Sequence, residues 1–198
     1  PGGNDTNVQF NDGGSFGGED TFTFDKTLGT LVGGDNDNTL TGTRSLVWGS
    51  ANDADSDLDA IFGYSNSDTG SGYNIIGGAE NIVNNGYASL VIGQGNTLTG
   101  AYDIVGGSFE NVMDGGYSIL VGTQLTVDLS TLYSAAFGAT NSLLNASYSL
   151  VAGSSNTIED SDYSAAFGSN NSLTDGGYEN FVSGGGNTIV GGTADSVI

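Results

Sequence analysis

Short apolar runs that end in glycine recur at regular intervals along most of this chain. Successive glycines are 14 to 16 residues apart, with a mean of 15. They are Gly34, Gly49, Gly63, Gly78, Gly93, Gly107, Gly122, Gly138, Gly153, Gly168 and Gly184. This period is too short for a helical repeat, but it fits two short strands and two tight turns, which form one coil of a β-solenoid. We therefore predict an all-β fold, a parallel β-solenoid over residues 34–198, with about 15 residues per coil and about eleven coils.

Each repeat divides into two halves, and each half suits one strand. Residues 148–153 read Tyr-Ser-Leu-Val-Ala-Gly, and the second half follows as Asn-Thr-Ile at 156–158. The next coil reads Tyr-Ser-Ala-Ala-Phe-Gly at 163–168 and Asn-Ser-Leu at 171–173. Gly, Asp, Asn and Ser, which favour turns, lie between the halves.

Tyrosine also follows the repeat. Eight of the nine tyrosines lie five or six residues before a repeat glycine. These are Tyr73, Tyr87, Tyr102, Tyr117, Tyr133, Tyr148, Tyr163 and Tyr178. Such a column is either a stack of rings that fills a repeated corner or an aromatic platform for sugars.

The first strand of each repeat is apolar on both faces. Leu90 and Val91, for example, point to opposite sides of one strand, and the same pattern recurs in every coil. A strand that is apolar on both faces is usually covered on both faces, whereas a thin coil covers only one. We therefore expect a neighbouring chain to cover the other face.

The first 33 residues do not carry the repeat. Phe22 and Phe24 alternate with threonine, which predicts a half-buried strand, and residues 25–29 favour a turn into the apolar residues that follow. We predict that residues 1–33 form a β-hairpin cap or connector ahead of the repeat domain.

The composition excludes several classes of function. The chain has 23 acidic and 2 basic residues, a formal charge of −21, and neither His nor Cys. It therefore lacks the ligands of a zinc site, a thiol nucleophile and disulfides, and its two cations cannot form a basic face for nucleic acid. Its apolar runs are too short to insert into a membrane as a helix.

The acidic residues leave two chemical possibilities. Asp53, Asp55, Asp57 and Asp59 alternate along one coil. Asp53, Asp55 and Asp57 are candidate calcium ligands, because calcium takes six to eight oxygen ligands, although a solvated acidic edge that discourages strand pairing explains the same pattern. A pair of carboxyl groups could also cleave glycosides, but that needs a cleft, and no coil carries a long insertion. We expect no catalytic residues and no cofactor other than this possible calcium.

Two parts of the sequence resemble known families. The consecutive repeats at 148–158 and 163–173 resemble the head repeats of trimeric autotransporter adhesins, and the resemblance covers residues 34–198. It implies a left-handed β-roll in a homotrimer, although this chain has a tyrosine column and bulkier apolar residues than the family's plainer units. Residues 4–25 run from Asn-Asp-Thr-Asn-Val-Gln-Phe-Asn through a Gly-rich link to Phe-Thr-Phe-Asp, and they resemble a segment of phage tail fibres.

Together the resemblances imply a homotrimeric rod in the tail fibre of a bacteriophage virion. Its expected partners are other tail, baseplate or fibre proteins at its ends and a glycan or protein receptor on the host surface. The alternative is the head of a bacterial trimeric adhesin or an extracellular filament on the cell surface. A polysaccharide depolymerase is a third hypothesis.

Overall fold

A computed structural model describes residues 4–35, 37–70, 72–175 and 177–191, and only the backbone of Asp12 and Phe16. Residues 192–198, the end of the predicted repeat domain, lie outside the described part. The described residues form 24 strands and no helix. In chain order they are β1 Asn7–Asp12, β2 Ser15–Asp25, β3 Thr30–Gly34, β4 Thr39–Leu40, β5 Leu46–Ser50, β6 Asp53–Ala54, β7 Ala60–Tyr64, β8 Ser67–Asp68, β9 Ile75–Ala79, β10 Ile82–Val83, β11 Leu90–Gln94, β12 Thr97–Leu98, β13 Ile104–Ser108, β14 Val112–Met113, β15 Ile119–Thr123, β16 Thr126–Val127, β17 Ala135–Ala139, β18 Ser142–Leu144, β19 Leu150–Ser154, β20 Thr157–Glu159, β21 Ala165–Ser169, β22 Ser172–Thr174, β23 Phe181–Gly185 and β24 Thr188–Val190.

The strands form two sheets that run along the solenoid. Sheet 1 has 13 strands, namely β1 and β2 followed by the odd-numbered strands from β3 to β23, and sheet 2 has the 11 even-numbered strands from β4 to β24. From β3 onward every pairing is parallel and joins equivalent positions of successive coils, so that Gly93, for example, pairs with Gly78 and Gly107. The predicted all-β parallel solenoid is confirmed, with eleven strand pairs from β3–β4 to β23–β24. The left-handed coil and the homotrimer stay predictions.

A hairpin continues sheet 1 at its N-terminal end. Strand β1 pairs antiparallel with β2, and β2 pairs antiparallel with β3, which in turn pairs in parallel with β5. Asp25 stabilises the turn between β2 and β3, since its Oδ1 accepts hydrogen bonds from the backbone N–H groups of Thr27 at 2.8 Å and Leu28 at 3.0 Å. The hairpin therefore covers the edge that β3 would otherwise expose, and the assignment of residues 1–33 as a cap or connector stays a prediction.

The hydrophobic core is a narrow double column between the two sheets. From β5 onward sheet 1 contributes the residue two before each repeat glycine, and from β6 onward sheet 2 contributes the second residue of each strand except Asp68 in β8. Leu125 and Ala146, which lie between strands, complete the core. The fully buried members include Val47, Ile61, Ile76, Val91, Val105 and Leu120 from sheet 1, and Val83, Leu98, Met113, Val127, Leu143 and Ile158 from sheet 2. Most of the core thus consists of one residue per strand, and the outward residues of sheet 1 are left uncovered within one chain.

Close backbone contact between coils explains the repeated glycine. Gly93 has a φ of +131°, and a Cβ at this position would lie 1.6 Å from the carbonyl oxygen of Gly107 in the next coil. A side chain would therefore require both an unfavourable backbone conformation and a shift of the neighbouring coil.

A buried column of asparagines joins the coils at one inner corner. Nδ2 of Asn156 donates to Oδ1 of Asn141 at 3.1 Å and to the carbonyl oxygen of Gly168 at 2.9 Å. Oδ1 of Asn156 accepts from the backbone N–H and the side-chain Nδ2 of Asn171, both at 3.0 Å. The column runs through most coils, and Leu125 interrupts it. Each asparagine thus satisfies backbone groups that a tight corner would otherwise leave without partners.

Candidate functional site

The outward side of sheet 1 forms a long surface along the solenoid. Its large apolar side chains lie three residues and one residue before the repeat glycines, and they remain partly exposed along the solenoid. We call the outward residues at these two positions in strands β5 to β23 the apolar face. Its exposed large members are Trp48, Phe62, Ile75, Ile92, Ile104, Ile119, Val121, Phe137 and Phe181, which are 38–52% exposed.

The apolar face carries no charge. None of the ten five-residue strands from β5 to β23 in sheet 1 contains an acidic or basic residue. The chain nevertheless has 23 acidic residues. Many of these lie in turns or on the outward side of sheet 2, as do Asp55, Asp114 and Glu159. Charge is thus segregated between the two sides of the molecule.

Tyrosine rings stack along one edge beside the apolar face. From Tyr102 to Tyr163 successive ring centroids are 4.9–5.1 Å apart, and their planes differ by 2–22°. Tyr73, Tyr87 and Tyr102 meet edge to face at 5.4 Å. Within the stacked part the ring faces are covered by neighbouring rings, which leaves the ring edges and hydroxyl groups accessible. Tyr117, Tyr133 and Tyr148 have a stacked neighbour on each face and so offer no free ring face to a sugar, which favours a packing role for the column.

A second polar column lies buried at the other inner corner, four residues before each repeat glycine. Its members are Thr30, Ser45, Asp59, Asn74, Ser89, Asp103, Ser118, Ser134, Ser149, Ser164 and Asn180, all at most 5% exposed. The oxygen of each side chain accepts the backbone N–H of the next member, as Ser149 Oγ does from Ser164 at 3.0 Å. A serine can also donate its proton to a carbonyl oxygen, as Ser134 does to Ala146 at 3.0 Å. An ionised aspartate has no such proton to donate.

Asp103 shows the consequence of placing a carboxyl group in this column. Its Oδ1 accepts from the backbone N–H of Ser118 at 2.8 Å, but its buried Oδ2 has no hydrogen-bond partner among the described residues. A Cβ on Gly100 would lie 2.5 Å from this Oδ2 and 1.6 Å from the carbonyl oxygen of Gly115, so the two oxygens are neighbours. Burial raises the pKa of Asp103 to about 7. Below about pH 7 the protonated acid therefore predominates, and its O–H can donate towards Gly115.

Asp59 and Asp68 form a buried pair of carboxyl groups. Ser56 Oγ donates to Asp59 Oδ2, and Asn74 donates its backbone N–H to Asp59 Oδ1 at 2.9 Å and its Nδ2 to Asp68 Oδ2 at 3.0 Å. Burial raises the pKa of both aspartates, to about 6 for Asp68, and the charge of Asp59 contributes to this increase. Asp59 does not belong to the solvated acidic edge that the alternating aspartates suggest, because it is only 3% exposed. The equivalent serines at Ser45 and Ser89 were the sequence signal that this position points inward.

The calcium candidates occupy two different environments. Asp53 and Asp55 lie on the outward side of sheet 2 and flank the buried Ala54. Burial and the charge of Asp55 raise the pKa of Asp53, whose Oδ1 has no hydrogen-bond partner within the part of the chain that the structure describes. Asp57 lies in the following turn, where its Oδ1 accepts from the backbone N–H of Thr43 at 2.6 Å and from Thr43 Oγ1 at 2.8 Å, which lowers its pKa.

No group of three or more acidic side chains that could hold a metal ion occurs in the described part of the chain. Calcium binding by Asp53, Asp55 and Asp57 stays a prediction. Measuring the melting temperature with calcium and with a chelator tests it.

No protein-family model and no curated protein sequence matches this chain. Across the described residues, no helix is long and apolar enough to cross a membrane.

Proposed function

We propose that this chain is a structural and attachment segment of a bacteriophage tail fibre, in which three copies lie side by side as a rod. The observation that supports this proposal best is the uninterrupted coil. From β3 to β24 no connection between strands is longer than the seven residues of 128–134. Every coil repeats the same two strands, so the described part has no lobes that would enclose a substrate. Such a shape suits a spacer that transmits force and presents repeated contacts.

The bonding between coils suits this mechanical role. Parallel strand pairs and the serine-rich column join each coil to the next. The asparagine column adds hydrogen bonds between most coils, such as those of 2.8 and 3.1 Å between Asn141 and Asn156. Side-by-side copies would present the same weak receptor contact several times, and multivalency would raise the avidity of each contact. The acidic outer surface would limit adhesion between neighbouring rods.

Immunogold electron microscopy with antibodies raised against this chain tests the proposal. In cultures of the source organism that release virions, we expect gold particles on virion tails. Labelling of the cell envelope alone would overturn the phage assignment and favour the bacterial surface adhesin. Release of reducing ends from host polysaccharide by the purified chain would instead support a depolymerase.

A further inference from the structure

We infer that the apolar face is the surface through which this chain binds a second copy of itself. This inference rests on the proposed side-by-side assembly and assigns the contact to particular residues. Three independent features of the face support a copy of this chain, rather than an unrelated partner, as the occupant: its charge, its size and its pattern of side-chain volumes.

The first feature is charge. Each chain carries a formal charge of −21, so two copies repel each other wherever acidic residues meet. Repulsion is screened over about 8 Å at physiological ionic strength, which leaves contacts between acidic surfaces unfavourable. The apolar face is the long uncharged surface among the described residues, and copies can meet there without burying carboxylates.

The second feature is size. Strands β5 to β23 in sheet 1 give the face a length of about 45 Å at a strand spacing of about 4.8 Å, and four residues of strand give it a width of about 13 Å. Two such faces would bury a total of about 1,100 Å², which is close to the ~1,000 Å² that a specific interface needs. The face is therefore large enough to hold two copies together.

The third feature is how side-chain volume is distributed. In seven of the ten strands one of the two outward positions is large and the other is Ala, Gly or Ser. Ala60 precedes Phe62, for example, whereas Ile75 precedes Gly77. On a solvent-exposed face the total volume of the two outward side chains can vary freely from coil to coil. A face packed against a straight, solid surface must keep this volume similar in every coil, because gaps or clashes form otherwise. A second solenoid with the same spacing between coils provides such a surface.

Substitution of an outward isoleucine by glutamate, with a matched control on the other sheet, tests the inference. Ile92 lies on the apolar face and is 52% exposed, whereas Ile82 lies on the outward side of sheet 2 in the preceding coil and is 42% exposed. We expect sedimentation velocity to show multimers for the wild-type chain and for Ile82→Glu. Ile92→Glu should weaken association by at least about tenfold, because it buries like charges against each other.

The single tryptophan provides a second readout. Trp48 lies on the apolar face and is 49% exposed in one chain. In the wild type and in Ile82→Glu, its emission should shift to longer wavelengths and become more accessible to iodide when the protein is diluted. In Ile92→Glu it should be accessible at every concentration. Ala152→Glu, at another level of the same face, is the second variant if Ile92→Glu does not fold by circular dichroism.

The possible results distinguish failure of the proposed assembly from failure of the assigned interface. A wild-type chain that sediments as a monomer at all concentrations would overturn both the assembly and the interface. Wild-type multimers that persist in Ile92→Glu and Ala152→Glu, or that dissociate equally in Ile82→Glu, would overturn the interface and leave the proposed assembly standing.

Discussion

Replacing Asp103 by serine should stabilise the protein at neutral pH and remove part of its pH dependence. Serine is the commonest residue of the column that contains Asp103, and its hydroxyl can both accept the N–H of Ser118 and donate to a carbonyl oxygen. The variant Asp103→Ser thus keeps the hydrogen bond between coils and removes the buried carboxyl group. Asp103→Asn keeps the size of the side chain and serves as a second comparison.

The magnitude follows from the pKa of Asp103. It rises from an ordinary value of 3.8 to about 7 in the folded protein because the group is buried. The folded state therefore retains a proton that the unfolded state releases between these values, so stability falls as the pH rises through this window and then levels off. Between about pH 5 and about pH 8 the loss is at most about 2.6 kcal/mol. Solvent screening and local relaxation reduce this to an expected 1.5–2.5 kcal/mol, an approximate range.

Urea denaturation monitored by circular dichroism, at several values from about pH 5 to about pH 8, provides the assay. The free energy of unfolding of the wild type should fall over this range by more than that of Asp103→Ser, and the difference isolates Asp103. Repulsion among surface carboxylates and the pair formed by Asp59 and Asp68 affect both proteins equally and cancel.

Equal pH dependence of the wild type and Asp103→Ser, to within about 0.5 kcal/mol, would refute the argument that Asp103 is held protonated. A wild type that gains stability as the pH rises, relative to the variant, would show that the carboxylate is ionised and paired in the folded state.

Three further predictions concern the asparagine column, the tyrosine column and a turn with a left-handed backbone. Asn156→Ala should lower the free energy of unfolding by about 3–5 kcal/mol in urea denaturation, because it leaves several buried groups without hydrogen-bond partners. The control Asn84→Ala, on the outer surface, should lower it by less than about 1 kcal/mol. Similar losses for the two variants would contradict a structural asparagine column. Tyr133→Ser should lower the free energy of unfolding by about 1–3 kcal/mol and change the near-ultraviolet circular dichroism, because it breaks two ring contacts at 4.9 and 5.1 Å. The control Tyr64→Ser, outside the column, should leave both the free energy of unfolding and the spectrum unchanged. Thr140→Gly should raise the free energy of unfolding by about 0.5–1 kcal/mol, since an exposed β-branched residue there has a φ of +56°, and a loss of stability would refute this account.

The buried carboxyl groups show where sequence reasoning was incomplete. Asp59 and Asp103 occupy a column whose other members are mostly serine, and Asp68 occupies a core column whose other members are mostly aliphatic. Acidic residues usually face water, and alternation within Asp53–Asp59 suggested one solvated group. Only alignment of each residue with its equivalents in every other coil assigns it to an inner or outer position, and small shifts in the lengths of turns obscure that alignment in the sequence.

The sequence by itself determined the architecture of this protein. A glycine every 15 residues or so, the tyrosine column and the Asn-Ser/Thr-aliphatic triplets specify a stack of two-strand coils, because each feature reflects a local requirement for a turn, a ring contact or a strand. The tertiary structure decided which side of each strand faces the core. Leu90 and Val91 are equally apolar, yet Val91 is fully buried and Leu90 is partly exposed, since a coil two strands thick has room for one inward column from each sheet.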